Sequence, residues 1–210
     1  MAPVAVTTTP AEAGHGPWVA SRAVYRPPWR IDVTVRRGAP RVVAIAELAR
    51  TAATALDAAG APRPASIGLI LSDDRELAGL NETHMGASGP TDVLSFPLLP
   101  PTAFPAHPRA TALHDPASAP VTLAPVAFAR PPGARLHLGD IVVSVERAIE
   151  QAEAGRGGWT GDLRWAAGDE LRLLVVHGVF HVCGWDHAEP IELAAMRALE
   201  ARVLGVDVPR

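Results

Sequence analysis

The sequence predicts one domain in which four strands and five helices follow one another, and three observations carry that expectation. Apolar and polar residues alternate in Arg30-Ile31-Asp32-Val33-Thr34-Val35, the two-residue period of a half-buried strand. Arg41 to Ala59 is rich in Ala, Leu, Val and Arg and free of Gly and Pro, which favours helix. The 210 residues are 48% hydrophobic, enough to bury a core in a single domain.

The elements follow in order. Met1 to about Trp29 has Pro, Thr, Ala and Gly without signal-peptide character, so residues 1–29 are expected to be a flexible extension and 30–205 the folded domain. Gly60 closes the first helix, and Ser66-Ile67-Gly68-Leu69-Ile70-Leu71 returns to strand. Ser72 or Asp73 caps a helix running to about His84, because its side-chain oxygen accepts from a free first-turn amide. Gly86 to Pro90 reads as a turn and Thr91-Asp92-Val93-Leu94-Ser95-Phe96 as the third strand. A Pro-rich insertion without periodicity covers about 98–135. Leu138 to Ser144 is a fourth, buried strand and Val145 to Ala154 a helix; Gly155 to Gly168, with Trp159 and Trp165, is a loop. Glu170 to Cys183 is a helix, and Glu189 to about Val203 a terminal amphipathic one that accepts Pro190 in its first turn.

A formal charge of -3 excludes a generally basic surface, so any nucleic acid must be held locally. All 19 cationic residues are arginine. The single cysteine, Cys183, cannot form an internal disulfide, which fits a reducing cytosol. No apolar run approaches the roughly 18 residues that span a membrane, so a soluble, cytoplasmic protein without a membrane partner is expected.

The chemistry concentrates in His177-Gly178-Val179-Phe180-His181-Val182-Cys183-Gly184-Trp185-Asp186-His187. His177 and His181 project from one helix face about one turn apart, and Gly184 lets the chain turn and bring His187 back. Three imidazoles with a fourth position left for water are the ligand set of a catalytic zinc site, in a zincin-like arrangement. One Zn2+ per chain is expected, although nickel, cobalt or copper also suit imidazole. The offsets match H-E-x-x-H-x-x-G-x-x-H of metzincin proteases, except that Gly178 stands where those enzymes carry the glutamate base. The pattern supports a metal and argues against a peptidase.

This stretch, together with Thr91-Asp92-Val93-Leu94-Ser95-Phe96-Pro97, Leu138-Gly139-Asp140-Ile141, Asn81 and Met196-Arg197-Ala198-Leu199-Glu200, resembles the YbeY family of metal-dependent endoribonucleases. The resemblance covers about Ser66 to Val203, outside the insertion. It implies an α+β domain with a small mixed four-stranded sheet, metal ligands at His177, His181 and His187, and cleavage of single-stranded RNA. It further implies maturation of the 3′ end of small-subunit ribosomal RNA and ribosome quality control. The implied partners are ribosomal RNA and ribosomal or assembly proteins, with no DNA.

Other residues have a functional and a structural reading. Asp140 is the carboxylate chosen to position a water or support the site; its alternative is a turn residue capping backbone amides. Asp186 either orients a ligand imidazole or is a solvated turn carboxylate. Thr91, Asp92 and Ser95 either face the cleft or fix the strand's ends. Where the family resemblance implies an arginine between Asn81 and Gly86, this chain has Met85, and Arg75, Arg147, Arg164 or His84 are candidate substitutes. The competing functions are a metallohydrolase of another substrate, such as a peptidase, and a ribosome-associated protein with structural zinc.

Overall fold

The computed structural model describes residues 18–107, 135–155 and 165–206. In chain order the elements are β1 (Trp18–Arg26), β2 (Trp29–Arg36), α1 (Ile45–Ala58), β3 (Ala65–Ser72), α2 (Asp74–Met85) and β4 (Val93–Pro97). After a short 3-10 turn at Pro101–Ala103 come β5 (Leu136–Ser144), α3 (Val145–Glu153), α4 (Ala167–Val182) and α5 (Pro190–Leu204). Local chemistry marks several ends. The Asp73 side chain accepts from the Glu76 amide at 2.8 Å to start α2, and the Ser144 hydroxyl accepts from the Arg147 amide at 3.1 Å to start α3.

The fold is α+β with a mixed sheet in the order β1-β2-β3-β5-β4. The outer pairs β1/β2 and β4/β5 are antiparallel, and the inner pairs β2/β3 and β3/β5 are parallel. Trp29, Ile31, Val33 and Val35 of β2, with Ile67, Leu69 and Leu71 of β3, face a core completed by α1 and α4. Each such side chain contributes about 1.5–3 kcal/mol when fully buried. On the opposite face, Arg30, Asp32, Thr34 and Arg36 of β2 are only half-buried.

Two expectations need correction. The sheet has five strands, not four, and the extension expected to be flexible up to Trp29 contains the strand Trp18–Arg26, hydrogen-bonded to β2. The reason is that β1 is an edge strand. Ser21, Arg22, Ala23, Tyr25 and Arg26 are exposed and Val24 alone of this group packs against the core, so the strand carries no apolar alternation. Of the Pro-rich insertion, residues 98–107 are described. Phe104 is buried in the core, and Pro101 lies against the backbone of Gly184. Residues 1–17 and 108–134, and with them most of both expected segments, lie outside the described residues, as do Trp159 and Arg164. Among the described residues no helix is long and apolar enough to cross a membrane.

Candidate metal centre

Helix α4 is seated on the sheet through Gly178. A β-carbon there would come within 2.6 Å of Ile141 Cγ2 and 3.2 Å of Val93 Cγ2, so glycine permits the helix to approach β4 and β5. The Ser95 hydroxyl donates to the Gly178 carbonyl at 3.0 Å and ties β4 to the same turn. With Gly178 pointed at the sheet, His177 and His181 occupy the flank of the helix that opens beside β4 and α5.

The helix then ends in a Schellman motif. The Trp185 amide donates to the Phe180 carbonyl and the Gly184 amide to the His181 carbonyl, both at 3.0 Å, and Gly184 takes φ 82°. The Trp185 ring packs on Phe180 with centroids 6.0 Å apart, the apolar contact that accompanies this turn. The reversal returns His187 to the other two imidazoles, and the Asp186 carboxylate accepts from the His187 amide at 2.7 Å.

One nitrogen from each of His177, His181 and His187 lies within 4.8 Å of the others. The Nε2 atoms of His177 and His181 are 3.0 Å apart. Two imidazole nitrogens on a tetrahedral zinc with bonds of about 2.0–2.1 Å are about 3.3 Å apart, so this pair already has a ligand-like separation. Glu200 on α5 lies 2.8 Å from His177 Nδ1 through its Oε1 and is buried. A carboxylate accepts the Nδ1 proton and leaves the Nε2 lone pair turned toward His181. Burial first, and then the neighbouring His177 and His187, pushes the His181 imidazolium down to about 4. His181 is therefore neutral at neutral pH, the form that ligates. The donor set and its arrangement fit a metal ion.

Two cavities flank the cluster. One, of about 340 Å³, lies between α4 and α5 and is bordered by His177, His187, Asp92, Gln151, Met196 and Arg197 among others. The other, of about 410 Å³, runs along β4 and is bordered by all three histidines, Met85, Thr91 and Ser95 among others.

The structure separates the residues singled out by sequence. Thr91, Asp92 and Ser95 reach the site, but each also holds structure. Asp92 accepts from the Val93 amide at 2.8 Å and from Gln151 Nε2 at 3.0 Å. Asp140 is not brought to the histidines. The registers Leu69↔Ile141 and Gly68↔Asp140 turn Ile141 toward α4 and Asp140 to the opposite face of the sheet, where its Oδ1 is 3.2 Å from His137 Nε2. Asp186 serves the turn. Cys183 is fully buried, and burial pushes its thiol up to about 12, so it is a core residue and not a fourth ligand. Asn81 Nδ2 donates to the Gly89 carbonyl at 2.9 Å and closes the turn into β4.

Met85 borders the histidine cavity and is 52% exposed. Of its candidate substitutes, Arg75 lines a separate hollow with Arg36 and Arg37, and Arg147 is ion-paired with Asp74 and Glu150. His84 packs edge-on against Phe96. Sequence reasoning missed the contact of Glu200 with His177. The available signal was an acidic residue on the apolar side of α5, one turn after Met196.

The fold and the site together define an α+β protein built around a three-histidine cluster suited to a metal ion. A family model described as Endoribonuclease YbeY matches residues 37–206. Proteins named Endoribonuclease YbeY from Roseiflexus castenholzii, Salinispora tropica and Paramagnetospirillum magneticum are 34%, 38% and 36% identical to this chain over 176, 151 and 168 residues. Those matches cover 83%, 71% and 78% of this chain and 91%, 79% and 83% of the relatives. The chain belongs to the YbeY family.

Proposed function

We propose that this chain is a zinc-dependent endoribonuclease that cuts single-stranded RNA in the cytoplasm. Its role is in maturing the 3′ end of small-subunit ribosomal RNA and in ribosome quality control, with ribosomal RNA and ribosomal or assembly proteins as partners. The observation that carries the reading is the three-histidine cluster at the junction of two open cavities, in a chain of this family. His177, His181 and His187 would hold the ion, and Glu200 would fix the direction of the His177 ring. When bound, such an ion supplies Lewis acidity toward a phosphoryl oxygen and lowers the pKa of water toward about 7. The open cavities on both sides suit a strand that continues past the point of cleavage, as an endonuclease requires.

The two competing readings are weaker on specific grounds. A peptidase of the metzincin kind needs a glutamate at position 178, which here faces the sheet, where even a β-carbon would come within 2.6 Å of Ile141 Cγ2. Structural zinc commonly has four protein ligands, whereas the nearest cysteine, Cys183, is buried in the core. The test is metal analysis paired with an RNA-cleavage assay on wild type and His181→Ala. Zinc and single-strand cleavage should be lost together while the fold persists. Stoichiometric zinc in a wild-type protein that never cuts single-stranded RNA would sink the nuclease reading.

A further inference from the structure

Arg197 follows Met196 on α5 and stands, exposed, at the cavity that also contains His177 and His187. It is the one arginine bordering either cavity of the histidine cluster among the described residues. Among the described residues no hydrogen bond or ion pair holds its guanidinium, unlike Arg147 with Asp74 and Glu150, or Arg172 with Glu47 and Asp169. The three carboxylates bordering the same cavity are already engaged: Asp92 by Gln151, Glu170 by Trp165 Nε1, and Glu200 by His177. Glu170 and Glu200 are moreover buried and Asp92 is half-buried, so the charge exposed at the mouth is that of Arg197. Behind it Leu173, Leu193 and Met196 supply apolar surface against which a nucleoside can lie. Along β4, by contrast, the cavity presents Met85, which cannot neutralise an anion.

We propose that Arg197 is the residue that grips a backbone phosphate of the single-stranded substrate, next to the linkage that is cut, on the α5 side of the histidines. Guanidinium suits this because it stays charged and meets two phosphate oxygens at once. The inference rests on the RNA reading above.

The test is fluorescence-anisotropy binding of a labelled 2′-O-methyl single strand by the zinc-loaded full chain, as wild type, Arg197→Ala and Arg197→Lys, over a series of salt concentrations. Arg197→Ala should weaken binding about tenfold, the scale of one charge-assisted hydrogen bond. It should also make the slope of log affinity against log salt shallower by about 0.7, the loss of one phosphate contact on a single strand. Arg197→Lys should keep most of the slope, and zinc content and melting temperature should match wild type in both variants. Unchanged affinity and slope in Arg197→Ala, with a wild type that binds and cleaves, overturns the role of Arg197 and leaves the nuclease reading standing. Loss of zinc or a lowered melting temperature would assign Arg197 to the architecture and likewise overturn it. A wild type that neither binds nor cuts the strand defeats the nuclease reading itself, and this inference with it.

Discussion

Glu200 Oε1 lies 2.8 Å from His177 Nδ1, joining α5 to the α4 histidine pair across a separation of 23 residues in sequence. A buried carboxylate that accepts from one ring nitrogen fixes which tautomer the imidazole adopts and makes the other nitrogen a stronger donor to a cation. Glu200→Gln keeps the shape but removes the charge. Its zinc affinity should fall about 10–100-fold, the usual scale for a partner of a metal-bound histidine. Competition against a chromophoric chelator measures this directly, and an affinity equal to wild type would remove Glu200 from the site.

The depressed His181 makes the metal-free protein sensitive to acid in a defined window. In the unfolded chain the imidazole takes a proton near its ordinary 6.5, whereas in the folded chain it does so only at about 4. Between these values the unfolded state binds more protons, so stability is fully present above 6.5, declines as pH falls to about 4 and levels off below. Denaturant midpoints of metal-free wild type and His181→Gln, followed across this window, should show the steeper decline in wild type. Parallel curves would mean that His181 titrates normally.

Gly178 should not tolerate a side chain. Gly178→Ala places a β-carbon 2.6 Å from Ile141 Cγ2, so α4 must lift from the sheet or Ile141 must repack, at a cost of about 1–3 kcal/mol. Chemical denaturation reads the loss. Gly178→Glu, which restores the protease pattern in sequence, should destabilise further and yield no metal-dependent cleavage of a casein substrate. Proteolysis by that variant would show that position 178 can face the metal after all.

The parts legible in the sequence were those set by local geometry. The offsets of His177, His181 and His187 and the turn at Gly184 are fixed within one helix and its Schellman ending, so spacing alone was sufficient. Asp140 was misread because the face a strand residue occupies depends on register with β3 and β4, both distant in sequence. β1 was missed because an edge strand with its polar and small residues in solvent has no two-residue apolar period. Glu200 was missed for a related reason. A buried acid on α5 looks like a flaw in an amphipathic pattern until tertiary packing supplies the imidazole it accepts from.

Cys183 should behave as a core thiol. It is fully buried with a thiol pushed up to about 12, so it should resist alkylation in the native state at neutral pH and react only on unfolding. Cys183→Ala should leave zinc stoichiometry at the wild-type value while lowering stability by about 1 kcal/mol or more through the cavity it leaves. A drop in bound zinc with an intact fold would instead make the thiolate a ligand.

Met85 offers the converse experiment to Arg197. It ends α2 at the rim of the cavity shared by all three histidines and is 52% exposed, so an arginine there displaces nothing from the core and adds a cation on the β4 side. Met85→Arg should therefore strengthen single-strand RNA binding with little change in melting temperature. Because Arg197 already supplies one cation on the α5 side, the gain should be modest, about threefold, in the wild-type background, given that added charge at an exposed site is screened by solvent and salt. It should be larger in Arg197→Ala, where the cleft would otherwise have no arginine among the described residues. The measurement is a double-mutant cycle on affinity for the same strand. Equal gains in both backgrounds would mean that the two positions act on separate phosphates independently, whereas no gain in either would place the strand away from β4.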